Sequence, residues 1–296
     1  MKYHRSVLLQ EAVSALIVKT GEKYIDATLG GGGHTGRIIT LGGVVLGIDS
    51  DREAIEYVKE NFKFQISNFK LKLARANFLD IDKLAKKNGF ESVSGIIFDL
   101  GLSSSQIDKP ERGFSYLKSG PLDMRMDQEL VLKASDLVNA LRKDELIKLF
   151  NNLGDEYRAK DIAERITDKR KEKPIETTEE LVGILAHSYG FYEVTNFAKA
   201  KSSKKVFQAL RIAVNDELGS LKIALPKALD LLEKSGRIVV ISFHSLEDRI
   251  VKNAFKEFER EGRGQIITKK PILPSESEMI ENGRSKSAKL RVFEKN

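Results

Sequence analysis

Short apolar runs alternate with amphipathic stretches along the first hundred residues of the chain. Compact apolar runs at residues 23–29, 44–48, 69–73 and 94–100 are typical of strands, and residues 53–61 between two of them have helical spacing. Strands that alternate with helices in this way predict a parallel sheet that carries helices on both faces.

The alternation stops near residue 105, and a helical pattern replaces it. Apolar residues recur at i, i+3, i+4 and i+7 from Leu146 and again from Ala159. Thr177 and Glu180 form a capping box that opens a further helix. The lysine-rich stretch 199–205 is interpreted as an exposed linker.

The strand pattern then resumes toward the end of the chain. Residues 236–243 form a strongly apolar run, and residues 265–268 and 288–293 resemble two late strands of a hairpin across a long loop. The sequence therefore predicts one α/β domain in two pieces, residues 1–105 and 206–296, interrupted by a helical insertion at residues 106–205.

Charge and composition narrow the classes of function. The formal net charge of +7 favours a polyanionic partner. The absence of cysteine excludes disulfides, thiolate metal sites and cysteine nucleophiles, and four scattered histidines argue against zinc, so no metal is expected. No apolar stretch approaches the ~20 residues of a membrane span, and no export signal is recognised. We expect a cytoplasmic protein without a membrane partner.

A glycine loop follows the first predicted strand. Residues 31–36 read Gly-Gly-Gly-His-Thr-Gly, which fits the G-x-G-x-x-G pattern between a strand and a helix. Such a loop could serve NAD, FAD or S-adenosylmethionine. Asp26 lies in the preceding strand, where methyltransferases often place an acid, and Asp49 ends the second strand, where it could accept hydrogen bonds from ribose. Both could also bond locally to backbone, but together they favour S-adenosylmethionine over a nicotinamide cofactor.

Asp99 ends the fourth predicted strand, at the edge where open α/β sheets bind ligands. Enzymes that methylate exocyclic amino groups commonly place an Asn or Asp there. An acceptor that holds the amino N–H aims the nitrogen lone pair at the methyl carbon. Asp99 is therefore expected to be catalytic, or to position the cofactor. Because cysteine-dependent methylation of cytosine carbon 5 is excluded, an amino or hydroxyl target is favoured.

A target base must leave its stack to reach such a pocket. Phe114, Tyr116 and Phe243 are candidates for stacking on that base, although each is individually more typical of a core. Ser103 and Ser104 could hydrogen-bond the base, or could cap the following helix.

Several long segments, in order over nearly the whole chain, resemble the MraW-type methyltransferases. They include residues 26–34, 98–104, 120–127, 207–218 and 236–249. The resemblance implies a Rossmann-like S-adenosylmethionine methyltransferase sheet with a helical substrate-recognition insertion. It also implies methylation of the N4 amino group of a cytidine in the decoding region of 16S ribosomal RNA, within the small ribosomal subunit.

The resemblance also implies particular site residues. Arg125 and His244 match the family pattern, and they could line the substrate pocket or pair structurally. The cofactor contacts that the resemblance implies are Gly32, Gly33, His34, Asp49, Phe78, Asp99 and Gln106.

Other interpretations stay open at this stage. An amino-methyltransferase of DNA or of another RNA would share the fold. A nicotinamide-dependent oxidoreductase and a non-catalytic RNA-binding or ribosome-assembly factor are alternatives from other classes. A homodimer is one option for the oligomeric state. The basic stretches 169–173 and 199–205 predict salt-sensitive RNA binding, or are simply solvated surface.

Overall fold

The computed structural model describes residues 6–296, apart from the side chain of Ser104. The strands are β1 (Lys23–Asp26), β2 (Val44–Asp49), β3 (Leu71–Arg75), β4 (Val93–Asp99), β5 (Leu232–Ser242), β6 (Gly264–Ile266) and β7 (Lys289–Lys295). The helices are α1 (Leu9–Leu16), α2 (Gly33–Thr40), α3 (Arg52–Asn61), α4 (Lys63–Ser67), α5 (Ile81–Asn88), α6 (Ser104–Asp108), α7 (Ala134–Ala140), α8 (Lys143–Gly154), α9 (Ala159–Glu172), α10 (Thr178–Ser188), α11 (Asn196–Asn215), α12 (Glu217–Leu231), α13 (Ser245–Arg260) and α14 (Glu276–Glu281).

The seven strands found in residues 6–296 form one sheet in the order β3-β2-β1-β4-β5-β7-β6. Strands β1 to β5 run parallel, and β7 pairs antiparallel with both β5 and β6. The predicted parallel sheet and the late antiparallel pair are therefore confirmed. The direction in which strands are added reverses between β1 and β4. The crevice outside the carboxyl ends of these two strands is thus the topological switch point.

The chain divides into two compact units. The first comprises Met1–Gly101 with Leu218–Asn296, and the second comprises Leu102–Glu217. The first unit contains the sheet, and the second contains helices α6 to α11. No helix of residues 6–296 has both the length and the apolar character that crossing a membrane requires.

Both faces of the sheet in the first unit are covered by apolar side chains. Neighbouring residues such as Tyr24 and Ile25, or Ile96 and Ile97, belong to two different buried clusters, because successive side chains of a strand point to opposite faces. Helices α5, α12 and α13 contribute to one cluster, and α1, α2 and α3 to the other. Burial on both faces explains why these strands read as continuous apolar runs.

The second unit has its own core, formed by the predicted helical stripes. Leu146 and Phe150 of α8 pack with Ile162 and Ile166 of α9, and all four side chains are fully buried. The sequence-predicted helical periods are thus confirmed.

The predicted linker at residues 199–205 is wrong, because α11 runs through it without a break. Ser202, Ser203 and Val206 are buried on one side of the helix, and the lysines lie mainly on the other. Small polar residues on the buried side hid the amphipathic pattern. The predicted division at residues 205/206 therefore falls inside a continuous helix.

Candidate active site

Aspartates end three neighbouring strands of the first unit: Asp26 in β1, Asp49 in β2 and Asp99 in β4. The carboxyl ends of parallel strands meet at one edge of a sheet. The three carboxyl groups therefore surround the switch point between β1 and β4.

The glycine loop between β1 and α2 adopts a conformation that needs glycine. Gly30 and Gly32 have φ values of +50° and +76°. A Cβ on Gly32 would lie 3.1 Å from Cγ2 of Val58 and 3.2 Å from the ring of Phe62. The next helix begins at Gly33 without a side-chain cap. The first N–H groups of a helix lie at its positive end, which favours a negatively charged ligand group there.

Asp49 ties this loop to β2. Its Oδ2 accepts a hydrogen bond from the Gly30 N–H at 2.8 Å, and its Oδ1 accepts one from the Asp51 N–H at 2.8 Å. Burial, together with the charges of Asp51 and Asp26, raises the pKa of Asp49 to about 6. Each carboxylate oxygen can accept a second hydrogen bond, which suits a pair of ribose hydroxyls.

Asp26 is satisfied within the junction of strand and loop. Its Oδ2 accepts from the Thr35 hydroxyl at 2.7 Å and its Oδ1 from the Thr28 N–H at 3.3 Å. Burial raises its pKa to about 6 against these hydrogen bonds. The Thr28 hydroxyl in turn accepts from the Asp99 N–H at 2.6 Å. Asp26 therefore helps, through Thr28, to fix the backbone of Asp99.

Asp99 lacks such compensation. Within residues 6–296, no group makes a hydrogen bond to its buried Oδ1 atom. Its Oδ2 lies 3.7 Å from Nδ1 of His34. Burial, and then the charges of Asp26 and Glu247, raise the pKa of Asp99 to about 8. The site thus presents a carboxyl group that has an acceptor atom free for a ligand.

His34 does not neutralise Asp99. The ring is buried, and its Nε2 lies 3.2 Å from the Val7 carbonyl oxygen, which can only accept. Nε2 therefore carries the proton. Burial lowers the pKa of His34 to about 4, so the ring is neutral at pH 7 and turns the lone pair of Nδ1 toward Asp99. Facing lone pairs further disfavour the ionised carboxylate.

A fourth acid, Glu247, lies in the first turn of α13, shortly after the carboxyl end of β5, the strand next to β4. Glu247 Oε2 accepts from the N–H groups of Phe243 at 2.8 Å and His244 at 3.3 Å, so it closes a capping box at the start of α13. His244 Nε2 lies 3.2 Å from Glu247 Oε1 without the geometry of a hydrogen bond. The sequence gives no sign that Glu247 acts on the pKa of Asp99.

Aromatic residues near this edge pack against the sheet. Phe78 follows β3, is half-buried and meets Phe98 edge-on with ring centroids 5.7 Å apart. Asn77 accepts from the Leu79 N–H at 2.9 Å and donates to the Ser220 hydroxyl at 3.2 Å. This framework holds Phe78 at the carboxyl end of β3, while a contact with adenine stays a prediction. Phe243 packs over Gly101, where a Cβ would lie 3.0 Å from the ring.

Several other predicted residues have local partners in the second unit. The side chains of Ser103 and Gln106 form a reciprocal capping box, with distances of 3.2 and 2.9 Å. Arg125 pairs with both oxygens of Asp123 at 2.8 and 2.7 Å and also donates to the Leu130 carbonyl. These bonds hold loops in place, and the roles of Ser103 and Arg125 toward a substrate stay predictions.

Two aromatic candidates lie in the helical core. The Phe114 side chain is only 6% exposed, and the Arg112 guanidinium lies 5.9 Å from its ring centroid. Tyr116 meets Phe207 edge-on at 5.7 Å. Their burial matches the core alternative for these rings. The side chain of Ser104 lies outside the described part of the chain.

The strand order, the glycine loop and the acids at the switch point together define a Rossmann-like, S-adenosylmethionine-dependent methyltransferase. The chain belongs to the MraW methylase family, whose sequence model matches residues 1–296. Cofactor use by this chain, predicted from the loop and its acids, is thereby confirmed.

Solved structures with which the chain can be superposed share little sequence with it. SMU.1697c of Streptococcus mutans, in complex with S-adenosylhomocysteine, is 13% identical over 97% of both chains, with a TM-score of 0.46. An rRNA methylase of Streptococcus thermophilus is 12% identical over 97% of this chain and 94% of that one, with a TM-score of 0.44. An S-adenosylmethionine-dependent O-methyltransferase of Thermotoga maritima is 10% identical over 100% and 68%, with a TM-score of 0.44.

Proposed function

We propose that this protein methylates the N4 amino group of a cytidine in the decoding region of 16S ribosomal RNA, within the small ribosomal subunit. The observation that carries the proposal is the buried Oδ1 of Asp99, which has no hydrogen-bond partner in residues 6–296 and lies at the switch point. A buried acceptor without a donor is costly, and a donor from a ligand would remove that cost. Such a substrate implies action in the cytoplasm.

The residues at the switch point fit S-adenosylmethionine. The second lone pairs of the Asp49 carboxylate oxygens would accept hydrogen bonds from the ribose hydroxyls. Gly32 and Gly33 would shape the loop that borders the cofactor, because a Cβ on either residue would meet neighbouring protein side chains. Phe78 would flank the adenine, while Gln106 is proposed as a contact from the family resemblance alone. When bound, the cofactor supplies an electrophilic methyl group.

Asp99 would then act on the target amino group. The lone pair of an exocyclic amine is delocalised into the ring, so the nitrogen is a weak nucleophile. When Oδ1 accepts one N–H, electron density is drawn to the nitrogen and its orientation is fixed. As the nitrogen becomes alkylated it must lose a proton, and the carboxylate can receive it. A pKa of about 8 suits this task better than an ordinary aspartate pKa, because a base is most effective near the working pH.

His34 would support this role without titrating. Because its ring is neutral and its Nε2–H is bound to the Val7 carbonyl, it cannot give a proton to Asp99. Its buried ring keeps water away from one side of the carboxyl group. His34 is therefore proposed as a positioning residue. The roles of Arg125 and His244 toward the substrate stay proposals from the resemblance, and those of Ser103, Ser104 and Phe114 stay proposals from their places in the sequence.

The substrate class is tested by offering methyl-labelled S-adenosylmethionine with each candidate polymer in turn. Small ribosomal subunits from cells that lack the activity, protein-free 16S RNA and duplex DNA would each be incubated with the protein. We expect label in the RNA of the subunits. Label in DNA alone would overturn the ribosomal substrate while retaining the chemistry at Asp99. Cofactor binding, measured separately by calorimetry, would show that the protein is competent in each assay.

A further inference from the structure

The two basic stretches of the second unit differ in how their charges are compensated. In α9, Lys169 pairs with Glu172 at 2.6 Å and Lys171 pairs with Asp168 at 2.8 Å. Just beyond the helix, Lys173 pairs with Glu180 at 2.9 Å. This stretch is therefore largely neutralised by its own neighbours.

The lysines of α11 are not neutralised in this way. Lys201 and Lys204 are exposed, and in residues 6–296 no carboxylate forms an ion pair with either of them. They lie four and seven residues after Phe197, which places all three side chains on one face of the helix. The opposite side of α11 carries Ser202, Ser203 and Val206 into the core. The outer face thus combines positive charge with an aromatic ring.

Tyr157, Tyr192 and Phe197 of this unit are unusually exposed for their size, and two of them, Phe197 and Tyr157, pack edge-on against a neighbouring ring. Phe197 is 70% exposed and is held edge-on by Phe191 at a centroid distance of 6.1 Å. Tyr157 is 71% exposed, meets Tyr189 edge-on at 5.8 Å and lies 5.5 Å from Nζ of Lys205 in α11.

The residues that contact the Tyr157 ring are themselves held in place by hydrogen bonds. The Tyr189 hydroxyl donates to the buried carboxylate of Glu156 at 2.8 Å, and Nζ of Lys205 donates to the Asp155 carbonyl. The Arg158 guanidinium also lies 5.6 Å from the Tyr157 ring. Fixed rings that face solvent lose little conformational freedom when a planar ligand stacks on them.

We propose that Tyr157, Phe197, Lys201 and Lys204, together called the α11 surface, bind a single-stranded RNA segment. The two rings stack on bases, and the two lysines contact phosphates, which is the usual composition of single-strand binding surfaces. The inference rests on the proposed function, since it names where the RNA substrate is held by the second unit. Because neither lysine has a carboxylate partner, the α11 surface favours binding of a polyanion over binding of a protein surface that carries both charges.

The test uses the full chain and a fluorescein-labelled single-stranded RNA of mixed sequence, with binding followed by fluorescence anisotropy at several salt concentrations. The double variant Lys201→Ala, Lys204→Ala removes two phosphate contacts, so the slope of log K against log salt should fall by about 1.4. The matched control is Lys169→Ala, Lys171→Ala, which removes the same charge from paired lysines and should leave the slope nearly unchanged.

The aromatic residues are tested in the same assay. Phe197→Ala and Tyr157→Ala should each weaken RNA binding roughly 5- to 150-fold, with little change in salt slope, because stacking is not ionic. Cofactor affinity and circular dichroism would show whether each variant is folded, and a variant that fails there would be replaced by Phe197→Ser or Tyr157→Ser.

The outcomes separate this inference from the proposed function. Equal losses in both double lysine variants would overturn it, because net charge alone would then explain binding. Unchanged RNA binding together with weaker association with intact subunits would also overturn it, in favour of a protein partner. If the α11 surface binds RNA as expected but no cytidine is methylated, the proposed function fails and this inference stands. If subunits are methylated and all variants bind RNA as the wild type does, this inference fails and the proposed function stands.

Discussion

Hydrogen-bond donors distinguish the three aspartates at the switch point. Asp26 receives bonds from Thr28 and Thr35, and Asp49 receives bonds from the Gly30 and Asp51 N–H groups. Each has a pKa of about 6, whereas the Oδ1 atom of Asp99 receives no hydrogen bond from residues 6–296 and its pKa is about 8. Donors stabilise the charged form of Asp26 and Asp49, whereas burial and the charges of Asp26 and Glu247 act on Asp99 without that compensation. Asp99 is the carboxyl group that has most to gain from a ligand.

The pH dependence of methyl transfer should report the ionisation of Asp99. Only the carboxylate can accept a proton, so kcat/KM of the free enzyme should rise about tenfold per pH unit below about pH 8 and level off above it. Initial rates of label transfer from pH 6 to 9 measure this. Asp99→Asn should lose roughly 10²- to 10⁴-fold in rate. A flat profile for the wild type would contradict the role of Asp99 as a base.

A change at Glu247 gives a second test of the ionisation of Asp99. Its negative charge contributes to the raised pKa of Asp99, so Glu247→Gln should lower that pKa and move the rising limb of the rate profile to lower pH. The glutamine retains an oxygen that can accept from the Phe243 N–H. Asp248→Asn is the matched control, because Asp248 pairs with Arg291 and does not contribute to the Asp99 pKa. A loss of rate without any shift of the profile would mean that Glu247 is only structural.

At the scale of elements, the sequence predicts the buried strands but not their exact ends. Strands β1, β2 and β4 are apolar on both faces, so the sequence pattern indicates each of them. β3 was predicted at 69–73 but spans Leu71–Arg75, because Phe69 takes a φ of +57° and turns outward. A phenylalanine in the left-handed region has no sequence signal that distinguishes it from a strand residue. The environment of Asp99 could not be predicted for a different reason, because the groups that surround it, His34, Asp26 and Glu247, come from distant segments of the chain.

The glycine loop makes a testable claim about backbone conformation. Gly32→Ala should lower the free energy of unfolding by about 1–3 kcal/mol, because an L residue is strained at φ +76° and the Cβ meets Val58 and Phe62. It should also weaken cofactor binding, measured by calorimetry. Gly183→Ala in α10 is the control, since its Cβ would meet nothing within 4 Å. That control should raise stability by about 0.5–1 kcal/mol. Equal effects of the two changes in thermal unfolding would contradict this account of the loop.

At the scale of the whole molecule, the sequence indicates two units but not where they join. The boundaries between the two compact units lie at residues 101/102 and 217/218, whereas the sequence pattern predicts them at 105/106 and 205/206. The later difference arises because α11 continues to Asn215 and ends at Asp216 with φ +45°. Helices most often end this way at glycine, so an aspartate gives a weak signal. The lysine-rich stretch 199–205, which lies before Asp216, gives a stronger but misleading signal of a boundary.

The stability of the cofactor-free protein should depend on Asp99 in one pH window. Between about pH 6.5 and 8, native Asp99 keeps its proton while the unfolded chain, with an ordinary pKa near 3.8, has lost it. The native state binds more protons, so stability should fall as pH rises, by at most about 1.4 kcal/mol per pH unit. His34, with a native pKa of about 4, affects stability only at lower pH. Thermal unfolding at several pH values measures this, and Asp99→Asn should flatten the trend. A wild-type protein that gains stability over this window would refute the raised pKa.

The central claim, that Asp99 directs methylation of a cytidine amino group in the small subunit, is tested most directly by identifying the methylated nucleoside. Small subunits that lack the modification would be treated with the wild-type protein or the Asp99→Ala variant and methyl-labelled S-adenosylmethionine. The RNA would then be digested to nucleosides and separated by mass. We predict labelled N4-methylcytidine with the wild type and none with the variant, although the variant still folds. A label on any other nucleoside, or equal labelling by the variant, would contradict the account.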